Sequence, residues 1–97
     1  MVLKKDDLVD RLREYGYTKK DSRRIIDDLF EVIIRELVDG NDVKIRGFGL
    51  FTVVTRAARE MISVIDGERI STPEFKIPKF VPGGTLRASI REGIYRE

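Results

Sequence analysis

The segment between Thr18 and Gly40 is more apolar than a surface helix needs to be. Residues 18–21 resemble a capping box with Asp in place of Glu, and Gly40 fits a helix stop, so one helix is predicted between them. An ordinary amphipathic helix carries three or four apolar residues in each two turns. Here they fall on neighbouring faces, at Ile25, Ile26, Leu29, Phe30, Val32, Ile33, Ile34, Leu37 and Val38.

A chain of 97 residues has little material with which to cover such a helix. It is predicted to form one domain, residues 1–97, and a domain of this size buries only about 65% of its surface on folding. One copy cannot supply a layer on both sides of the helix. We therefore expect a homodimer that shares it; the alternative is a monomeric core helix with crowded sides.

Missing residue types exclude most catalytic and metal chemistry. The chain contains no Cys, His or Trp, so it has no thiolate or imidazole metal ligand and no His to activate a serine nucleophile. We expect no enzyme activity, no metal, no cofactor and no small-molecule substrate. Apolar runs are far shorter than the ~20 residues that span a membrane. A cytoplasmic protein with no membrane partner is predicted.

Shorter elements flank the long helix. Asp6 is predicted to cap a first helix with Leu8, Val9, Leu12 and Tyr15 as its apolar stripe and Gly16 as its stop. After a turn at residues 40–42, residues 43–46 alternate with the strand period. Residues 82–85 form a turn into a last helix, in which Leu86 and Ile90 make an apolar pair opposite Arg87 and Arg91.

A long β-hairpin occupies the middle of the chain. One strand is predicted from Leu50 to about Ile62 and its return from Glu68 to Ile77, with a reversal at residues 63–67 and Pro73 on an edge. At ~3.4 Å per residue, thirteen residues reach ~44 Å, whereas a compact domain with a radius of gyration of ~13 Å is ~26 Å across. The far half of the hairpin must project into solvent as an exposed basic ribbon.

Charge is unevenly distributed along the chain. Residues 1–43 have a net charge of −2, whereas residues 44–91 carry nine basic and four acidic side chains, a net charge of +5. A two-stranded ribbon fits a DNA groove, and cations on or near this one lie at Arg56, Arg59, Arg69, Lys76 and Lys79. The alternatives are a solvated surface, or a hairpin that swaps onto a partner subunit and is kept soluble by its charges.

Arg56 and Arg59 are three residues apart, which a flat ribbon would place on opposite faces. Two arrangements remain open. Either a bulge lies at residues 57–58, or the two arginines grip opposite walls of a groove.

Several motifs together resemble the HU and integration host factor (IHF) family of bacterial nucleoid proteins. They are KDDLV at residues 5–9, GNDV at 40–43, IRGFGLF at 45–51, RAAR at 56–59, Pro73, and KIPKFVPG at 76–83. The resemblance covers nearly the whole chain. It implies an α+β fold and an intertwined dimer, with a helical base, a β-sheet saddle and two β-ribbon arms that reach around double-stranded DNA through the minor groove.

The resemblance also implies roles for individual residues. By position, Arg56, Arg59, Arg69, Lys76 and Lys79 correspond to phosphate and groove contacts, with flanking contacts at Lys5, Arg46, Arg87 and Arg91. The aromatics Phe48, Phe51 and Phe80 correspond to residues that pack the dimer core, beside Ile26, Leu29, Phe30, Ile33 and Leu37 of the long helix. Residues 1–42 would form the helical dimerisation part, 43–82 the sheet and arm, and 83–97 the last helix and tail.

The hairpin reversal departs from the family pattern. Relatives read Gly-Arg-Asn-Pro-x-Thr-Gly there, and this chain reads MISVIDG at residues 61–67. Val64 replaces the proline that wedges between base pairs, so Val64 and Ile65 are the candidate wedge.

We therefore expect a non-catalytic architectural protein that bends or compacts DNA as a homodimer, or as a heterodimer with a related chain. It would be nucleoid-associated and encoded by a bacterium or a phage. The alternative is a dimeric protein-interaction module of the same fold that uses the apolar arm tips on a protein partner.

Overall fold

Helices come first and last in the chain, and five antiparallel strands lie between them. The computed structural model describes residues 1–95. The elements are α1 (Lys5–Arg13), α2 (Lys19–Val38), β1 (Val43–Ile45), β2 (Gly49–Arg56), β3 (Arg59–Ile62), β4 (Arg69–Thr72), β5 (Phe75–Pro82) and α3 (Gly84–Glu92). The predicted α+β class is confirmed. The predicted tail ends with residues 96 and 97, which lie outside the described residues.

Both ends of α2 lie where the sequence predicts, although only one of the two hydrogen bonds of a capping box forms at its start. The Thr18 hydroxyl accepts a hydrogen bond from the Asp21 backbone N–H at 3.1 Å, which satisfies one of the free donors of the first turn. At the other end Gly40 takes a φ of +91°, which favours glycine. The N–H groups of Gly40 and Asn41 then bond to carbonyls of the last turn.

The beginning of α1 differs from the prediction. The helix starts at Lys5, and the Lys4 backbone N–H donates to the Asp7 carboxylate at 2.8 Å. Asp6 is therefore not the cap; it lies inside the first turn and pairs with Arg23 of α2 at 3.6 Å. Asp7 caps the helix instead, because a carboxylate three residues after the cap position can accept a hydrogen bond from the backbone N–H of the cap residue. Tyr15 lies beyond the end of the helix and is exposed, so it does not extend the apolar stripe.

The three-stranded sheet has the order β1-β2-β5 and an apolar inner face. Side chains alternate between faces along a strand, so Val43, Phe51 and Phe80, which are register partners across the three strands, share this face. The rings of Phe48, Phe51 and Phe80 lie 4.9 to 6.2 Å apart, centre to centre. Gly49 makes this contact possible, because a Cβ there would lie 2.7 Å from the Phe80 ring.

The hairpin extends beyond this sheet as a second pair of strands, β3 and β4, with a break that the sequence did not predict. Residues 57–58 and 73–74 are not in strands, and Pro73, which has no N–H to donate, lies in the break. The register is nevertheless the same on both sides, because Arg56 pairs with Phe75 and Arg59 with Thr72. No extra residue is inserted, so the bulge alternative is wrong.

The projecting hairpin makes the molecule long. Its extents are 60 × 33 × 30 Å and its radius of gyration is 19.2 Å, against ~13 Å for a compact domain of this length. The prediction that the far half leaves the domain is confirmed. We call residues 57–75 the arm.

A single chain leaves its apolar residues poorly covered. Val9 and Ile33 are the buried large apolar side chains among the described residues, whereas Leu29 and Phe30 on α2 remain 51% and 48% exposed. The last helix, α3, packs little on its own chain, and Ile90 is 72% exposed. These exposed apolar side chains are what a dimer would cover with a second copy, whereas a monomer with a crowded core would have buried them.

The substitution Leu29→Asp distinguishes a dimer in which two copies share α2 from a monomer in which α2 packs only on its own chain. In a lone chain the side chain is half exposed and the charge is tolerated, whereas in a dimer core an unpaired charge costs several kcal/mol, a large part of a small domain's ~5–15 kcal/mol. We expect the variant to unfold and the wild type to melt at a temperature that rises with protein concentration. Circular dichroism melts measure both. Tyr15→Asp is the control, and a folded monomeric Leu29→Asp chain in sedimentation would contradict the shared helix.

Candidate nucleic-acid interface

Seven cations lie on the three-stranded sheet, the turn beside it and α3, and the acidic residues nearest to them in sequence are Asp42, which accepts a hydrogen bond from Thr52 at 2.7 Å, and Glu92 at the end of α3. Residues 44–56 and 76–91 contain no Asp or Glu. The cations, which we call the cation set, are Lys44, Arg46, Arg56, Lys76, Lys79, Arg87 and Arg91. Within residues 1–95 none of them lies within ion-pair distance of a carboxylate. An uncompensated surface of this kind attracts a polyanion.

The outer face of the sheet carries three of these cations. Lys44, Arg56 and Lys79 all fall on the face opposite the phenylalanine cluster, because their register partners are Leu50, Phe75 and Thr52. All three cations are exposed. Lys44 was missing from the sequence-predicted contacts. Its position between Val43 and Ile45, in a strand whose other residues point inward, was the signal that could have identified it.

The remaining predicted contacts are more widely distributed. Arg46 lies in the turn between β1 and β2, Lys76 follows the inner-face alternation of β5, and Arg87 and Arg91 lie on α3. Lys5 forms an ion pair with Asp27 of α2, in the helical half of the chain. The structure thus brings most of the predicted cations onto the sheet and its neighbours and leaves Lys5 with the helices.

The arm is not the basic ribbon that the sequence predicted. Residues 57–75 contain two arginines and four acidic residues, a net charge of −2. Arg69 lies 3.9 Å from Glu60 on the same face of the arm, which leaves Arg59 as its unpaired cation within the described residues. The basic character lies nearer the body, on the sheet and α3. The averaged charge of residues 44–91 had hidden this division.

The arm ends in a short turn that displays two aliphatic side chains. The backbone N–H of Ser63 bonds to the carbonyl of Glu68 at 2.7 Å, and that of Gly67 bonds to the carbonyl of Ser63 at 3.0 Å. Gly67 takes a φ of +69°, which closes the turn. Val64 and Ile65 lie between these bonds and are almost fully exposed. We call residues 62–68 the tip.

Asp66 stays charged at the tip. Its pKa is lowered from the ordinary value, chiefly because the Glu68 backbone N–H donates to its carboxylate at 3.1 Å and also because of a hydrogen bond with the Ser63 side chain. The tip therefore combines apolar side chains with fixed negative charge.

Over the described part of the chain, no group of three or more Asp, Glu, His or Cys side chains is placed to hold a metal ion. No helix among residues 1–95 combines the length and the apolar character that crossing a membrane requires.

Comparisons with known proteins agree on one family. Residues 3–91 match the family model described as bacterial DNA-binding protein. The DNA-binding protein HU of Thermotoga maritima is 39% identical over 88 residues, which cover 90% of this chain and 98% of the relative. The integration host factor subunit alpha of Mannheimia succiniciproducens is 36% identical over 93 residues, 95% of each chain.

A solved structure, the Anabaena HU-DNA cocrystal, superposes with a TM-score of 0.83 at 30% identity. The match covers 91% of this chain and 97% of that one. The likeness therefore extends through the helices, the sheet and α3.

The hydrogen bonds at Asp66 predict a pH dependence for the tip. A lowered pKa means that the turn gains stability above the ordinary carboxyl pKa and loses it as the pH falls through the lowered value. In an NMR titration, the Asp66 carboxyl should titrate below the same group in a short peptide of tip sequence. Ser63→Ala should remove part of the shift. A carboxyl that titrates at or above the peptide value would contradict these bonds.

Proposed function

The chain belongs to the family of bacterial DNA-binding proteins, and from this membership we propose that it is an architectural protein, not an enzyme, that binds and bends or compacts double-stranded DNA. The observation that carries the proposal is the cation set, seven basic residues of which none lies within ion-pair distance of a carboxylate in the described part of the chain. Each cation that lies on a phosphate releases condensed counterions, and this release supplies affinity without any reading of sequence.

The binding unit is a dimer, as in HU and IHF. The proposed core joins Ile26, Leu29, Phe30, Ile33 and Leu37 of α2 to the cluster of Phe48, Phe51 and Phe80. In the single chain only Ile33 of these eight residues is buried, so a partner has apolar surface to cover. A homodimer satisfies this requirement with one gene product, and a related chain could replace one copy.

Phosphate contacts are proposed for the cation set together with Lys5, Arg59 and Arg69. The outer face of the sheet forms the saddle on which the duplex lies, and α3 and Lys5 contact its flanks. Residues 1–42, 43–82 and 83–97 act as the dimerisation part, the sheet with its arm, and the last helix with its tail, within one domain. The protein would lie with the nucleoid in the cytoplasm of a bacterium, whether encoded by the chromosome or by a phage.

Each arm follows the minor groove from the edge of the saddle. Since the register continues through the break, Arg56 and Arg59 alternate to opposite faces of the hairpin and can contact opposite groove walls. At the tip, Val64 and Ile65 are proposed to enter a base step, as the apolar wedges of minor-groove binders do. A module that binds only proteins is not favoured, because the matching family is described as bacterial DNA-binding protein and the matching solved structure is an HU-DNA cocrystal.

One titration tests the proposal. Purified protein is added to linear, nicked and cruciform duplexes at two salt concentrations, and affinity is measured by fluorescence anisotropy. We expect binding to all three, tighter on the distorted duplexes, and a strong loss of affinity at the higher salt. Binding to no duplex at the lower salt would refute the function.

The arginines at the beginning of the arm should act without regard to sequence. Arg56→Ala and Arg59→Ala are expected to weaken binding to all duplexes about equally, because phosphates and groove walls carry little sequence information. Each substitution should also flatten the slope of log affinity against log salt by about one unit. Arg13→Ala, which removes a helical cation 3.8 Å from Asp10, is the control. Altered sequence preference with an unchanged slope would place these side chains on base edges instead.

Val64 should make a weaker wedge than proline. Valine is apolar, but its backbone is more flexible and its N–H needs a partner once it is buried between bases. We expect Val64→Pro, with Ile62→Arg added, to increase bending more than affinity for an undistorted duplex. Energy transfer between the ends of one labelled duplex compares the wild type, Val64→Pro and the double variant. A wild type that bends as sharply as the proline variant would overturn the argument.

A further inference from the structure

The tip has a surface chemistry that duplex DNA only half explains. An apolar wedge suits a base step, but Asp66 and Glu68 place two carboxylates beside it, and the whole arm has a net charge of −2. Neither carboxylate lies within ion-pair distance of a cation in the described part of the chain. Since the pKa of Asp66 is lowered, its charge persists. Such a tip fits a surface that is both apolar and cationic.

The outer face of the sheet is largely a surface of that kind, with one carboxylate at its side, that of Asp42, which accepts a hydrogen bond from Thr52 at 2.7 Å. Between the cations Lys44, Arg56 and Lys79, the same face carries aliphatic and aromatic side chains in register pairs: Leu50 with Val81, Val54 with Ile77, and Phe75 opposite Arg56. Phe75 and Val81 are among the exposed large apolar residues of the chain. Apolar side chains at these positions gain less from a phosphate backbone than lysines would, and they remain in water whenever no partner covers them.

We propose that, without DNA, the tip of one molecule docks on the outer sheet face of a second copy of this protein. Val64 and Ile65 would cover the apolar side chains of that face, which are Val54, Ile77 and the residues paired beside them, Leu50, Val81 and Phe75. Asp66 and Glu68 would then face the cations Lys44, Arg56 and Lys79. Opposite charges and apolar side chains are thus matched on both surfaces, and among the described residues these charges have no ion-pair partner.

The tip cannot reach its own sheet in this way. The arm projects from the body, and the whole molecule is 60 Å long, so β3 and β4 lead away from β2 and β5. Folding back would require both strands to reverse direction within two residues each. A second molecule meets no such obstacle. Since each molecule carries both surfaces, two dimers that face each other can exchange tips symmetrically and close the assembly.

Docked tips would occupy the saddle that the proposed function assigns to DNA. Self-association and duplex binding therefore compete for one surface. The competition depends on the proposed function, whereas the contact between copies does not.

Sedimentation velocity of DNA-free protein tests the contact. Over a wide range of protein concentrations at low salt, the wild type should form species larger than a dimer, and high salt should reduce them. Two arm variants should abolish them: Asp66→Lys with Glu68→Lys, and Val64→Ser with Ile65→Ser. The saddle variant Lys44→Glu with Lys79→Glu should abolish them too. Combining the charge-reversed tip with the charge-reversed saddle should restore them.

The matched control is Asp10→Lys with Glu14→Lys, which makes the same change in net charge on α1 and its C-cap residue and should leave association intact. A wild type that stays a dimer at every concentration would refute the contact, as would a control that loses association like the tip variants.

Duplex DNA added to the same samples separates the two proposals. The duplex should convert the larger species into dimer–DNA complexes. If larger DNA-free species persist at saturating duplex, the contact between copies does not lie on the saddle and the proposed docking is refuted. Association without duplex binding would refute the proposed function alone. Duplex binding without association would refute only the contact.

Discussion

The exposed apolar surface of α2 is the constraint on which the rest of the structure depends. A helix with apolar residues on neighbouring faces has too little of its own chain to pack against, and only Val9 and Ile33 among the described large apolar residues are buried. A shared core follows, and with it the pairing of two sheets into one saddle. The arms can then project freely, because the stability of the fold does not require them to pack.

Local signals in the sequence predicted the helices well and the arm poorly. Thr18, Asp21 and Gly40 determine the ends of α2 through contacts within a few residues, which a sequence displays directly. The prediction for the start of α1 named Asp6 instead of its neighbour Asp7. Which of the two carboxylates can reach the backbone N–H at the cap position depends on three-dimensional geometry. The break in the hairpin depends on residues that face each other across two strands, and that pairing is visible only once the register is known.

Charge was predicted at too coarse a scale. The net charge of residues 44–91 is positive, and the whole hairpin was therefore predicted to be basic. When the segment is divided at the break, the sheet and α3 carry the cations, whereas the arm has a negative net charge. The family resemblance identified most of the cation set but passed over Lys44, whose outward position follows from strand alternation. Sequence therefore predicts the kind of partner, whereas the distribution of contacts between saddle and arm requires the fold.

The break at residues 57–58 and 73–74 gives the arm a mechanical property. With no ladder there, the hairpin can swing at this point, yet the matching register on both sides prevents one strand from sliding past the other. The distance from the break to the tip is thus constant while the angle varies. A hinge of fixed reach lets one protein follow duplexes of different curvature, and the cost of adapting falls on two residue pairs instead of on the whole sheet.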